Sequence, residues 1–264
     1  MTTSSREGAP PASVDVWHDR DDRVVRVRLA RPKANVLDAD MVAQLREAFG
    51  VVARDGHVKA VVLDAAGPHF SFGASIEEHL PDAVAGMLAG FHALILEMLA
   101  CPVPVLVAVR GNCLGGGLEL ASAGTLLFAA PDARLGQPEI LLGVFAPVAS
   151  CILPERMGQQ AADELLLSGA HIAADDGLRL GLVAAVADDP EAAALAWYDT
   201  HLAGKSAAAL RLAVTAARGP FVDRIRARLT EVEHLYLTDL MSTHDALEGL
   251  TAFLEKRPAQ WKDG

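Results

Sequence analysis

Cysteine is scarce in this sequence, and its placement argues against pairing. Cys101, Cys113 and Cys151 are odd in number, widely spaced and outside any CxxC, which speaks against a disulfide framework or a thiolate zinc site. Positive charge is also in deficit: 23 Lys and Arg stand against 34 Asp and Glu, a formal charge of −11. So acidic a chain repels phosphate backbones and excludes broad electrostatic binding of nucleic acid. Long apolar runs are missing too, because His92 and Glu97 interrupt the best candidate for a membrane span. The opening MTTSSREGAPPAS lacks the apolar stretch of a secretory signal, so the cytoplasm is the expected location. There is no GxGxxG, no GKS or GKT, and no GxSxG. A dinucleotide fingerprint, a phosphate-binding P-loop and a nucleophile elbow are therefore absent. The nine histidines fall into no HExxH or similar spacing, and no metal is assigned.

What is present describes a soluble globular chain, 52% hydrophobic and 22% charged over 264 residues. That length buries a sizeable core without staples. Residues 1–13 read as a disordered arm rich in Ser, Thr and Pro. Val24 to Ala30 alternates, with Val25, Val27 and Leu29 opposite Arg26 and Arg28, which predicts a half-buried strand. Asp38 is placed to cap a helix carrying Met41, Leu45, Ala48, Phe49 and Val52 on one face. The run KAVVLD, residues 59–64, predicts a strand covered on both sides. A helix follows over residues 82–100, then a third strand over residues 103–109. Strands alternating with helices give an α/β core. Beyond residue 145 helical segments dominate, with breaks predicted at Pro154, Gly169, Gly181, Asp189-Pro190 and Gly219-Pro220. Residues 242–245 (STHD) read as a capping box opening a last helix that ends near Pro258.

Two carboxylates stand out. Gly115-Gly116-Gly117 opens a helical stretch after the third strand, and glycines there let the backbone approach a ligand at a helix N-terminus. The same triplet also suits a close-packed strand-to-helix turn. Glu119 follows among Leu118, Leu120 and Ala121, and Glu139 lies in LGQPEILLG. Singly they read as a dipole-favouring helix carboxylate and a loop carboxylate. Together, each in an apolar, glycine-bounded setting, they suit proton transfer, because apolar surroundings raise a carboxyl pKa. Glu77 and Glu78 read as solvated loop residues, in a segment that joins a Gly-Ala turn.

The segments HFSFGASIEEH (69–79), GNCLGGGLELA (111–121) and GQPEILLGV (136–144) resemble, in order and spacing, signature blocks of the crotonase (enoyl-CoA hydratase/isomerase) superfamily. RPKANVLDA (31–39) and EGLTAFLEKRPAQWK (248–262) resemble two more. The resemblance implies a core of repeated ββα units over residues 14–200 and a helical C-terminal region, 201–264, used in oligomerisation. It implies an acyl-CoA substrate with no separate cofactor, since coenzyme A belongs to the substrate. The backbone N–H groups of Ala74 and Gly116 would hold the thioester oxygen as an enolate forms. Glu119 and Glu139 would handle water and its protons, and retention of both favours hydration. Lys33 and Ala34 would meet the adenine side of coenzyme A, and Ser75 and Ile76 the pantetheine. Phe253 and Lys256 would reach the coenzyme A of a neighbouring subunit in a homotrimer or hexamer. Neither nucleic acid nor membrane is an expected partner.

Two departures from the common pattern carry specificity. Ser75 stands where many members have Asp, and Pro147 to Cys151 (PVASC) replaces a glycine-rich segment. These blocks look most like the branch of the family that hydrates alicyclic dienoyl-CoA thioesters, with Phe72, Phe145, Pro147 and Ser150 as acyl-pocket residues. The alternatives are a hydratase of linear 2-enoyl-CoA and, from another class, a non-catalytic RNA-binding or scaffold homologue.

Overall fold

A computed structural model describes residues 12–264. Residues 1–11 of the predicted arm lie outside that range, but Ser13 is anchored. It is buried, its amide donates to the Gln44 side chain at 2.9 Å, and its hydroxyl donates to Asp40.

The chain opens with an antiparallel hairpin of β1 (Val14–Asp19) and β2 (Val24–Leu29), and continues into α1 (Ala39–Arg54) and β3 (Ala60–Ala65). Then come α2 (Val84–Leu99), β4 (Val105–Val109), β5 (Asn112–Leu114) and α3 (Gly116–Ala123). Next are β6 (Leu126–Ala129), β7 (Arg134–Gly136), α4 (Pro147–Met157) and α5 (Gln159–Ser168). The remainder is β8 (His171–Ala173), α6 (Ala174–Arg179), β9 (Ala185–Val186), α7 (Pro190–His201), α8 (Ala207–His234) and α9 (His244–Leu254).

The strands divide between two sheets. One has the order β1-β2-β3-β4-β6-β9 and is parallel apart from β1; the other has the order β5-β7-β8. The repeat is visible in this division. In β4-β5-α3 and β6-β7-α4, the first strand joins the large sheet, the second the small one, and a helix follows. After β3 the same role falls to a single bridge between Ser71 and Cys113.

β3 shows why KAVVLD is continuously apolar. Val61 and Leu63 enter the main core with Met41, Leu45 and Phe49 of α1, while Ala60 and Val62 face Ala194 and Tyr198 of α7. α1 forms as its pattern demands, with Asp38 accepting the Met41 amide at 3.0 Å. The half-buried reading of β2 is corrected. Arg26 is only 7% exposed, because α7 covers that face and Asp64 on β3 accepts from both Arg26 and Arg28. Glu191 of α7 completes this cluster, and the Trp17 ring lies 5.1 Å from each guanidinium.

Of the predicted breaks, Gly169 and Gly181 hold as left-handed turns, and Asp189 caps α7 with Pro190 at its first position. Pro154 and Gly219-Pro220 instead lie inside α4 and α8. A proline costs a helix one backbone bond, but α4 and α8 pack Val148, Ile152, Val222 and Ile225 into the core, and that burial decides. The last helix is capped by Thr243, not Ser242, and ends at Leu254. Asp245 does not close a capping box; it accepts the amides of Lys262 and Asp263, each at 2.8 Å, and folds the C-terminal tail back. No helix among the described residues is long and apolar enough to cross a membrane.

Candidate active site

A cavity opens between the loop after β3, α2, the start of α3, the turn Pro138–Leu142 and the start of α4. Two backbone donors meet in it. The parallel bridge between Leu37 and Ala74 uses the Gly73 carbonyl and the Ser75 amide, leaving the Ala74 N–H without an acceptor among the described residues. Gly116 is the first residue of α3, so its N–H has no partner one turn back. The two lie side by side. A β carbon on Gly116 would stand 3.0 Å from the Ala74 nitrogen and fill the gap between them. The dipole of α3 adds positive potential at the same spot.

Glu119 sits on the first turn of α3, and its Oε1 accepts the Ala149 amide at 2.8 Å. Glu139 reaches the cavity from the turn Pro138–Leu142. Its carboxyl lies against Gly115, whose φ of 52° and whose position both demand glycine; a β carbon there would be 2.5 Å from Glu139 Oε1. Gln137 is fully buried and, with its amide nitrogen turned toward Glu139, donates to both carboxyl oxygens at 2.9 and 3.1 Å.

Among the described residues, no cation balances either glutamate. Burial pushes the Glu119 carboxyl above the ordinary range, against the pull of the Ala149 and Val148 amides. Burial raises Glu139 as well, and the neighbouring Glu119 raises it further. Two such groups share protons as a pair. The backbone donors bias Glu119 toward the anion, and Glu139 keeps the proton longer. That gives one base and one acid in a single apolar cavity, beside two donors suited to a developing oxyanion.

The other predicted residues divide. Ile76, Phe145 and Pro147 line the cavity, and Phe72 stands half-exposed in its wall. Lys33 is exposed; Ala34 accepts the Phe72 amide at 2.9 Å, which ties their loop to that wall. Ser75 is buried and donates to Glu77 at 3.0 Å. Ser150 does not line the cavity; its hydroxyl turns back to the Ala146 carbonyl at 2.7 Å. Phe253 and Lys256 are exposed at the end of α9, outside this cavity, although Leu250 of the same helix lines it.

The solvated reading holds for Glu77, which is exposed, and is corrected for Glu78, which is half-buried. His79 lines the cavity with its ring 2.7 Å from the Ser75 carbonyl, and Glu78 accepts the Ala39 amide at 3.1 Å. Sequence reasoning missed the α2 wall, Met87, Leu88, Phe91 and His92. The signal was helical spacing, which puts His92 on the same buried face as Leu88, Phe91 and Ile95. All three cysteines are buried and free, and no cluster of three or more His, Cys, Asp or Glu among the described residues is fit to hold a metal ion.

Comparison with known proteins agrees with this geometry. A family model described as enoyl-CoA hydratase/isomerase matches residues 19–264. The chain is similar to a cyclohexa-1,5-dienecarbonyl-CoA hydratase of Thauera aromatica, 59% identical over 94% of this chain and 96% of that protein. It is 34% identical to a probable enoyl-CoA hydratase of Mycobacterium tuberculosis over 92% of this chain and 96% of the other. Among solved structures, an enoyl-CoA hydratase from Mycobacterium avium subsp. paratuberculosis superposes with a TM-score of 0.80 at 28% identity, covering 96% of this chain and 100% of that one. With its two-sheet core, paired glutamates and facing amides, the chain belongs to the enoyl-CoA hydratase/isomerase family, the crotonase superfamily.

Proposed function

We propose that this protein is a hydro-lyase that adds water to cyclohexa-1,5-diene-1-carboxyl-CoA, forming 6-hydroxycyclohex-1-ene-1-carboxyl-CoA. The carrying observation is the set of four groups in one cavity: buried Glu119 and half-buried Glu139, with no cation beside them among the described residues, and two backbone N–H groups without an acceptor there. The Thauera relative supplies the ring.

The thioester oxygen sits between the Ala74 and Gly116 amides. Water is held by the glutamate pair, and Glu119, the more readily ionised member, takes its proton as oxygen attacks the β carbon. Electrons move onto the thioester oxygen and into the second double bond, giving an extended dienolate. Protonation at the γ carbon completes a 1,4-addition. Lys33 and Ala34 hold the adenine end of coenzyme A, where a lysine attracts an anionic ligand to a protein of net charge −11. Ser75 and Ile76 lie along the pantetheine. Phe145 and the Pro147–Cys151 segment set the angle of the ring, because a proline-led helix start is stiffer than glycine.

The test is hydration in D₂O with deuterium located by NMR. Label at the γ carbon is expected. Label at the α carbon, or turnover of crotonoyl-CoA without turnover of the cyclic diene, overturns the ring assignment in favour of a linear 2-enoyl-CoA hydratase. The exposed Phe253 and Lys256 complete the coenzyme A site of a neighbouring subunit, so light scattering should give a trimer or hexamer; an active monomer removes that role.

A further inference from the structure

The mechanism above leaves one buried ionisable group of the cavity unused. His92 lies on the inner face of α2, 4% exposed, and lines the same cavity as Glu119 and Glu139. Its Nδ1 is 2.5 Å from the Glu233 carboxylate on α8. Its Nε2 is buried and has no partner among the described residues. An unpartnered imidazole nitrogen in an apolar wall is costly unless a ligand meets it. The surroundings have the same character. Just beyond Glu233, α8 passes into a π-helical stretch, Leu235–Asp239, and such turns often mark functional sites. Tyr236 in that stretch stacks edge-on against Phe145, a cavity residue, and its buried hydroxyl also has no partner among the described residues.

We infer that His92, held by Glu233, is the acid that delivers a proton to the γ carbon of the bound ring. The inference rests on the ring substrate proposed above. In a linear enoyl thioester the carbons taking oxygen and proton are adjacent, so one glutamate pair serves both. In the ring diene they lie across the ring from each other, and a donor from a different wall is needed. α2 is that wall; Glu119 and Glu139 come from α3 and the turn after β7.

The step balances. Water forms the C–O bond at the β carbon and loses one proton to Glu119. The Nε2–H bond of the His92 imidazolium breaks as the γ C–H bond forms, and its electron pair stays on nitrogen. After product leaves, the glutamate pair releases its proton and His92 takes one up, so one water is added in each cycle. Desolvation holds the His92 imidazole below its ordinary range, and the Glu233 carboxylate on Nδ1 works against that pull, so the charged form this step needs depends on that contact.

The experiment compares wild type with His92→Gln and Glu233→Gln on the cyclic dienoyl-CoA. Kinetics are combined with calorimetric titration of the product thioester and NMR of γ-hydrogen exchange in D₂O. His92→Gln should lose about 10²–10⁴-fold in kcat, the usual range for a general acid, with KM and product affinity within a few-fold of wild type. Exchange of the γ hydrogen should fall by the same factor, and Glu233→Gln should show a smaller loss in both. A His92→Gln kcat within tenfold of wild type overturns the inference. So does a loss matched by equal loss of product affinity, which would mark a structural tie between α2 and α8. Wild-type protein inert toward the cyclic diene would overturn the ring substrate itself, and this inference with it.

Discussion

Asp64 and Glu119 are both buried carboxylates, 0% and 5% exposed, in opposite surroundings. Asp64, on the side of the large sheet covered by α7, accepts from Arg26 and Arg28, with Glu191 and Trp17 closing the cluster. Glu119, at the start of α3, has backbone amides and a second glutamate and, among the described residues, no cation. The first arrangement fixes a charge in place. The second leaves protonation undecided near neutrality, the condition for passing protons on. Burial alone therefore says little about a carboxylate's task, and the nearest charge says most.

Removing the acids separates the two regions most sharply. Glu119→Gln and Glu139→Gln should each fold and bind coenzyme A thioesters, and each should lose about 10²–10⁴-fold in turnover. Steady-state kinetics with calorimetric titration checks this, and near-wild-type hydration by either variant removes that residue from the mechanism. The reverse behaviour is expected at the other end. Asp64→Asn removes the carboxylate shared by Arg26 and Arg28 and leaves them Glu191 and Asp19, and should cost about 1.5–3 kcal/mol in urea unfolding, with kcat unchanged in the folded protein.

The smallest effect concerns pH. The Glu119 carboxyl is raised by burial, so its folded pKa lies above its unfolded value, ~4.3. Such a group stabilises the fold while protonated, and this contribution is lost as pH rises through the folded value. Glu119→Gln keeps an acceptor for the Ala149 amide and escapes that loss. It should exceed wild type by about 1–2 kcal/mol at pH ~8 and converge with it below pH ~4. Urea titrations at several pH values test the sign, and a difference independent of pH would contradict it.

Local chemistry was legible in the sequence. The Asp38 cap, the doubly covered β3 and the glycine triplet before Glu119 each depend on neighbours a few residues away. What was missed depends on distant partners. Arg26 reads as a solvent-facing residue until Asp64 and Glu191 are folded against it, 38 and 165 residues along the chain. β1 went unrecognised because Val16 remains half exposed and its pattern is weak. His92 looked like a stray histidine because Glu233 is 141 residues away. Pro154 and Pro220 predicted breaks because proline's local penalty is visible in sequence, whereas the tertiary packing of their helices is not.

The amides of Ala74 and Gly116 belong to the main chain, and this has a consequence for inheritance. A codon change at Ala74 exchanges a side chain but transmits the N–H unaltered, and only proline among the twenty residues deletes it. The grip proposed for the thioester oxygen is thus shielded from most substitutions at Ala74, though not at Gly116, where any β carbon fills the gap between the donors. His92, Phe145 and Pro147 are open to change. Descendants of such a chain can exchange one acyl group for another without rebuilding the hold on the thioester oxygen.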